Sequence, residues 1–64
     1  MTDFTAAVKK KLKEYGCSFD RQGKGDHEIW YSPITQTKFP VDGSIRSRHT
    51  ANEIMKQAGI PHHF

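Results

Sequence analysis

The first fifteen residues carry apolar side chains at the spacing of one helical face. Phe4, Val8, Leu12 and Tyr15 recur every three or four positions. This pattern predicts an amphipathic helix near residues 3 to 15. Gly16 follows it directly, and a glycine there can adopt the left-handed conformation that ends a helix. We expect Thr2 to cap the start of this helix, because its hydroxyl can accept a hydrogen bond from a first-turn N–H.

The middle of the chain changes to short segments rich in aromatic and β-branched residues, which glycine and proline separate. These segments predict three antiparallel strands, at Cys17 to Gln22, Asp26 to Ser32, and Thr37 to Val41. Pro40 lies inside the third strand. Because proline has no N–H to donate to a neighbouring strand, we expect this strand to form an edge of the sheet.

A second helix is predicted over residues 51 to 58, where apolar positions again recur at helical spacing. Residues 50 to 53 have the sequence Thr-Ala-Asn-Glu, which is typical of a capping box. Gly59 should end the helix, and Ile60 should fold back onto Met55. We expect the histidines that follow, at 62 and 63, to belong to a frayed tail.

The element order α-β-β-β-α predicts an α+β fold in which both helices cover one face of a three-stranded antiparallel sheet. Alternation along the middle strand separates His27, Ile29 and Tyr31 from the side that carries Trp30. The large Trp30 favours its own side as the buried one. The expected core partners of Trp30 are Phe4, Val8, Leu12, Phe19, Phe39, Ile54 and Met55. His27 would then lie on the open face.

The length and composition limit the class of protein. With 64 residues the chain can bury one modest core, so we expect a single domain over residues 1 to 64. No apolar run approaches the ~20 residues that span a bilayer, and the first residues lack the order of a signal peptide. The lone Cys17 suits a reducing compartment and should pack in the core. We therefore expect a cytoplasmic protein without a membrane partner.

The charge balance leaves two interpretations open. The sequence contains ten Lys and Arg residues and seven Asp and Glu residues, so the net charge is +3. Four of the lysines lie between positions 9 and 13. Such clusters can follow a phosphate backbone, but they are more often typical of a solvated helix surface.

The chain lacks a phosphate-binding loop of the Walker type, a serine nucleophile elbow and a helical histidine pair. Asp26 and Glu28 have no further carboxylates beside them for magnesium, so we expect no metal or cofactor. His27 remains, since an imidazole can exchange a proton with the ribose 2′-hydroxyl or the leaving oxygen during RNA cleavage. Its position alone favours the interpretation that His27 is an ordinary exposed strand residue.

Basic residues near His27 are candidates for binding the RNA phosphate. Arg21, Lys24 and Lys38 lie within reach of the proposed site, where they would stabilise the negative charge that develops on the phosphate. His49, beside the second helix, is expected only to contact solvent.

Four segments, in their order and spacing, resemble the HicA toxins. They are Lys-Leu-Lys-Glu-Tyr-Gly at 11 to 16, Arg-Gln-Gly-Lys-Gly-Asp-His at 21 to 27, Phe-Pro-Val at 39 to 41, and Glu-Ile-Met-Lys-Gln-Ala-Gly-Ile at 53 to 60. The resemblance implies a fold like that of double-stranded-RNA-binding domains, metal-independent mRNA cleavage, growth arrest, and neutralisation by a HicB-type antitoxin. The family's catalytic histidine falls on His27, with Gly25 and Asp26 in its supporting loop.

Two positions depart from the family pattern. Asp26 stands where a small residue such as serine is usual, and Asp42 stands where histidine is frequent. Both add negative charge near the proposed phosphate site, which should weaken RNA binding. Asp26 could instead orient the imidazole of His27.

Two functions therefore remain for the sequence. The first is a ribonuclease toxin that uses His27, and the second is a module of the same fold that binds structured RNA without cutting it. A DNA-binding regulator has less support, because no recognition helix is evident. Ile29 and Tyr31 form an apolar strip on the open face, which we expect to receive the antitoxin. A homodimer or an ordinary exposed sheet face are the alternatives for that strip.

Overall fold

The computed structural model describes residues 3 to 64, and within them it confirms the predicted α+β fold and element order. The elements are α1 Thr5–Glu14, β1 Ser18–Gln22, β2 Glu28–Ser32, β3 Thr37–Val41 and α2 Arg48–Ala58. The strands form one antiparallel sheet in the order β1-β2-β3. The third strand is therefore an edge strand, as Pro40 predicted. None of the helices in this part of the chain is long and apolar enough to cross a membrane.

One hydrophobic core lies between the helices and the sheet. Trp30 is only 3% exposed, which confirms that its side of β2 meets the helices. The core residues come from both helices, from β2 and β3, and from the connecting segments: Val8, Leu12, Cys17, Trp30, Phe39, Val41, Ile45, Ala51, Ile54, Met55, Ala58 and Ile60. Phe4 packs against the margin of this core and is half-buried. Because both helices share the cluster, they cover the same face of the sheet.

Phe19 was expected in the core, and that prediction is wrong. Its side chain is 51% exposed, although its ring packs edge-on against Trp30 at a centroid distance of 6.3 Å. All five residues of β1 are exposed. Both helices contact β2, where Lys9 pairs with Glu28 and the Ala58 carbonyl accepts the Ser32 hydroxyl. β1 is thus an edge strand with little cover on its inner side.

The start of α1 is tied to the segment that follows β3. The N–H of Thr5 donates to the Asp3 carboxylate over 2.9 Å. The Thr5 hydroxyl first, and this N–H second, hold the pKa of Asp3 below its ordinary value. The Thr5 hydroxyl in turn accepts the N–H of Ile45 over 2.8 Å, while the Phe4 N–H donates to the Ile45 carbonyl over 2.7 Å. The predicted cap at Thr2 lies outside the described residues. These bonds bury Ile45, which the periodicity of the sequence did not mark.

The predicted capping box is wrong, because α2 begins at Arg48 rather than Ala51. Ser47 is the extended residue before the first turn, and its carbonyl accepts the N–H of Ala51 over 3.0 Å. Thr50 therefore lies inside the helix, where its hydroxyl cannot act as a cap. The buried Ile45 fixes the chain just before this point, so the helix can begin one turn earlier than the sequence signal.

The end of α2 follows the prediction. Gly59 has φ +76°, and the N–H of Ile60 donates to the Met55 carbonyl over 2.9 Å. A Cβ at Gly59 would also lie 2.8 Å from a methyl carbon of Thr35. Both the backbone conformation and the close approach of the β2–β3 turn thus require glycine here.

The histidine-containing tail packs on the protein, so the prediction of a frayed tail is wrong. The N–H of Phe64 donates to the Asn52 side-chain oxygen of α2 over 2.8 Å. The Phe64 ring lies 5.6 Å from the ring of Phe4 and 4.6 Å from that of His62. A terminal aromatic ring that can bury itself against another provides the apolar contact that a frayed tail lacks.

Two polar side chains of β2 are satisfied on the core side. The buried Ser32 hydroxyl donates to the Ala58 carbonyl over 2.7 Å. Glu28 accepts the Trp30 indole N–H over 2.9 Å and pairs with Lys9 over 3.3 Å. The indole N–H bond is the main cause that holds the pKa of Glu28 below its usual value. These contacts let a sheet face with polar residues meet the helices without orphaned groups.

Candidate active site at the His27 loop

His27 lies directly before β2 and closes the connection from β1. It was predicted inside the strand, and the structure places it one residue outside. Its N–H donates to the Lys24 carbonyl over 3.1 Å, and its carbonyl accepts the Gly23 N–H over 2.8 Å. The backbone of His27 is thus held on both sides, although its side chain is exposed.

Gln22 braces this loop from the end of β1. Its side-chain amide donates to the carbonyl of His27 over 2.9 Å and to that of Gly25 over 3.3 Å. Gly25 has φ +63°, a conformation that glycine adopts without strain. Sequence reasoning missed Gln22, because an amide at the end of a strand has no distinctive pattern. The loop between β1 and β2 is therefore internally hydrogen-bonded.

The imidazole of His27 lies between two carboxylates. Its Nδ1 atom is 3.3 Å from Oδ1 of Asp26, and its Nε2 atom is 3.1 Å from Oδ1 of Asp42. The side chain remains 46% exposed, so a ligand can still reach it. Each ring nitrogen therefore faces a negatively charged acceptor, which favours one orientation of the ring plane.

The contact between His27 and Asp42 was not predicted, although it follows from the register of β2 and β3. β2 and β3 pair Glu28 with Val41, and the next residues outward are His27 and Asp42. An antiparallel pair places such residues opposite each other if the register continues past the strand ends. From the sequence, Asp42 was expected only to add negative charge near the phosphate site. Extending the observed β2–β3 pairing by one residue places Asp42 opposite His27.

Gly43 brings the β3–α2 connection against the His27 loop. A Cβ at this position would lie 2.5 Å from the carbonyl oxygen of Asp26 and 3.1 Å from its Cβ. Real Cβ atoms do not approach backbone that closely, so only glycine fits without a shift of one loop. This packing keeps both carboxylates beside His27, since Asp26 and Asp42 come from the two loops in contact.

Two of the predicted basic residues come together on the open face, around a carboxylate that the sequence analysis missed. Oδ2 of Asp20 lies 2.9 Å from Nη1 of Arg21 and 3.5 Å from Nζ of Lys38. Arg21 belongs to β1 and Lys38 to β3, so the ion pairs connect the two edge strands across the sheet. The third predicted cation, Lys24, is exposed in the His27 loop.

Ile29 and Tyr31 lie on the open face, as predicted, and are half-buried rather than fully exposed. The register places Ile29 between Arg21 and Pro40, and Tyr31 between Ser18 and Lys38. The apolar strip is therefore narrow and has a cation on each side. Its composition suits a ligand that combines negative charge with flat or apolar groups.

The sequence matches a model of a known protein family. The family model described as the HicA toxin of bacterial toxin-antitoxin matches residues 6–60 of the chain. No curated protein and no solved structure gives a significant match. The matched range contains both helices except the first residue of α1, the whole sheet and the His27 loop. Because this match covers far more than half of the sequence, the chain belongs to the HicA family of toxins from bacterial toxin-antitoxin systems.

Proposed function

We propose that this toxin is a metal-independent endoribonuclease that cleaves mRNA with His27 as its catalytic residue. Membership of the family establishes a toxin, whose partner is an antitoxin. The proposal for the chemistry is carried by one observation. A half-exposed imidazole lies between Asp26 and Asp42, beside a sheet face that carries Arg21 and Lys38.

The reaction we propose is attack of the ribose 2′-oxygen on the adjacent phosphorus. His27 takes the proton of the 2′-hydroxyl as the new P–O bond forms and the bond to the 5′-oxygen breaks. The leaving 5′-oxygen takes a proton from the imidazolium or from water, so the products are a 2′,3′-cyclic phosphate and a 5′-hydroxyl. Asp42 acts as a positioning residue at Nε2, while the 2′-hydroxyl takes the place of the more exposed Asp26 carboxylate at Nδ1 and gives its proton to that nitrogen.

The RNA backbone would bind across the open face. Arg21, Lys24 and Lys38 supply the positive charge for phosphate groups, and the half-buried ring of Tyr31 offers a surface for a base to stack on. The two carboxylates beside His27 oppose this binding electrostatically. We therefore propose that affinity comes from the sheet face, whereas His27 supplies the chemistry.

The products test this proposal directly. The purified protein should cut a synthetic single-stranded RNA in the presence of EDTA and leave 2′,3′-cyclic phosphate and 5′-hydroxyl ends. Mass spectrometry of the fragments distinguishes these ends from the 3′-hydroxyl and 5′-phosphate of a typical metal-dependent nuclease. Cleavage that EDTA abolishes, or products of the second kind, would contradict the proposed mechanism.

A second candidate is an RNA-binding module of the same fold that does not cleave. The observation that favours it is the negative charge at the site, where Asp26 and Asp42 replace the small residue and the histidine that the family pattern leads one to expect. Such a module would bind RNA with the same affinity whether residue 27 is histidine or alanine. The absence of cleavage products in the EDTA experiment, together with retained binding, would support it.

We further propose that the antitoxin is of the HicB type, acts in the cytoplasm, and covers Ile29 and Tyr31. Basic residues flank these side chains, so an acidic and apolar partner surface would fit them. RNA and antitoxin would then compete for the same face. Tyr31→Glu should weaken the complex, and amide exchange should show protection of β2. Protection confined to α1, with binding unaffected by Tyr31→Glu, would place the antitoxin elsewhere.

A further inference from the structure

The bulge in β1 places a carboxylate where a bound phosphate would be expected. Phe19 pairs with Trp30 and Arg21 pairs with Ile29, so Asp20 is the extra residue between two consecutive pairs. A bulge of this kind re-aims a side chain and bends the strand locally. Here the Asp20 carboxylate reaches Lys38 of β3, on the far side of β2, as well as its neighbour Arg21.

Both cations converge on the same atom. Oδ2 of Asp20 lies 2.9 Å from the Arg21 guanidinium and 3.5 Å from the Lys38 ammonium. A single anionic oxygen held by a guanidinium and an ammonium is also the arrangement in which proteins hold a non-bridging phosphate oxygen. The Asp20 oxygen therefore occupies the position at which a phosphate oxygen would interact most strongly with both cations.

We propose that Asp20 is an internal occupant of a phosphate site formed by Arg21 and Lys38, and that RNA binds there by displacing it. This proposal rests on the proposed RNA-binding function. In it, Asp20 lowers the affinity of the protein for RNA. The two cations are exposed, with about two-thirds of the Arg21 side chain and half of the Lys38 side chain open to solvent, whereas the Asp20 side chain is 28% exposed. Exposed pairs contribute little to stability, so this exchange is easy.

The displaced carboxylate gives the proposal a distinctive signature in salt. When a nucleic acid binds to lysine and arginine, counterions leave its phosphates, and affinity falls as salt rises. In the wild type, the displaced Asp20 carboxylate attracts a cation from solution at the same time. This uptake offsets part of the counterion release from the RNA. Removing the carboxylate should therefore increase the affinity and steepen the salt dependence together.

The nucleic acid is favoured over a protein ligand by the residues around the site. Tyr31 pairs with Lys38 in the β2–β3 register and lies beside the anion position, so a base and its phosphate could bind side by side. Arg21 offers a planar fork that suits phosphate geometry. A carboxylate of a protein partner would use the same cations without needing the aromatic ring, and this alternative is an outcome of the test.

The experiment uses the full chain with His27→Ala, so that RNA stays intact during the measurement. Binding of a single-stranded RNA oligonucleotide is measured by fluorescence anisotropy over a range of salt concentrations, with and without Asp20→Asn. We expect Asp20→Asn to lower Kd by about threefold or more at low salt, and to steepen the salt slope by roughly 0.7, the value of one additional phosphate contact. Adding Lys38→Gln should remove most of this gain.

Glu14→Gln is the matched control. Glu14 is an exposed carboxylate that pairs with Lys11 over 3.1 Å on α1, so its removal changes the net charge equally and also breaks a surface pair. It reports the general effect of charge on RNA affinity. Equal changes in Kd for the two variants would overturn the proposal. So would tighter binding of a poly-aspartate peptide by Asp20→Asn without any change for RNA, because the site would then belong to a protein ligand.

Failure of this inference is distinguishable from failure of the proposed enzyme. The binding measurement does not depend on cleavage, because the imidazole is absent from every protein in the series. If wild-type protein fails to cleave RNA while Asp20→Asn still tightens binding, the phosphate site stands and the ribonuclease mechanism falls. If cleavage is found while Asp20→Asn has no effect beyond the control, the opposite conclusion holds.

Discussion

Oδ1 of Asp42 lies 3.1 Å from Nε2 of His27, at the point where the β2–β3 pairing would continue beyond the strands. The position of Asp42 is one where the family pattern frequently has histidine. A carboxylate at this position does not supply the second imidazole that a histidine would provide for proton transfer. It can hold the ring of His27 in one orientation, and this is the role we assign to it.

Asp42→Asn should separate catalysis from binding. We expect kcat for RNA cleavage to fall between about tenfold and a hundredfold, because a misplaced reacting group loses much of its advantage. KM should fall at the same time, since a negative charge near the phosphate is removed. Steady-state kinetics on a fluorogenic RNA measures both constants. Glu53→Gln, an exposed carboxylate on α2, is the control for net charge. A parallel loss in both variants would contradict a positioning role.

Gly43→Ala should impair the site more than it impairs the fold. The added Cβ would lie 2.5 Å from the Asp26 carbonyl oxygen, so one of the two loops must move and carry Asp26 or Asp42 away from His27. We expect the rate of RNA cleavage to fall by about tenfold or more, whereas the melting temperature should fall by only a few degrees. Ser44→Ala in the same loop is the control. Unchanged activity of Gly43→Ala would show that the loop contact does not position the imidazole.

Much of the fold could be predicted from sequence because its signals are local. The glycine at 59 and the apolar stripe before it marked the end of α2 without any knowledge of tertiary contacts. The start of α2 could not be found in this way. It follows Ile45, which is buried in the core and hydrogen-bonded to Phe4 and Thr5 some forty residues away. The exposure of Phe19 was likewise hidden, because alternation gives the face of a strand but not the extent of the helices that cover it.

In the candidate site, too, the residue types could be predicted from the sequence, whereas the contacts between them could not. His27, Arg21 and Lys38 were predicted as site residues from residue type and family resemblance. The carboxylates that contact them, Asp42 and Asp20, were not predicted to do so. Each contact arises from pairing between strands, one by continuation of the β2–β3 register and the other by a bulge in β1. A sequence pattern marks residue types, whereas a bulge depends on the full set of tertiary contacts.

Ser32→Ala should destabilise the protein by about 1–2 kcal/mol. The buried hydroxyl donates to the last carbonyl of α2 and accepts the N–H of Ile34, so alanine leaves both groups without this partner. Urea denaturation monitored by Trp30 fluorescence measures the change in the free energy of unfolding. The control is Ser18→Ala, in the exposed strand β1, which should change it by less than about 0.5 kcal/mol. Equal effects would mean that the Ser32 bridge does not stabilise the fold.

Stability should fall in acid partly through Glu28. The Trp30 indole N–H, and to a lesser degree Lys9, hold the pKa of Glu28 below its ordinary value of 4.5 against the opposing effect of burial. Ionised Glu28 therefore stabilises the folded state above that pH, and this contribution is lost as the pH falls through the lower folded-state pKa. Melting temperatures of wild type and Glu28→Gln, measured from about pH 6 to about pH 3, should converge in acid. A difference that stays constant over this range would rule out the linkage.

The most direct measurement is the rate of RNA cleavage by His27→Ala compared with the wild type, on the same oligonucleotide and in EDTA. The half-exposed imidazole contributes little packing, so the circular dichroism spectrum and RNA affinity should be close to those of the wild type. We predict that cleavage falls by about a hundredfold or more, as expected for loss of a general acid–base group. A folded His27→Ala protein that still cleaves RNA at the wild-type rate would contradict the assignment of His27 as the catalytic residue.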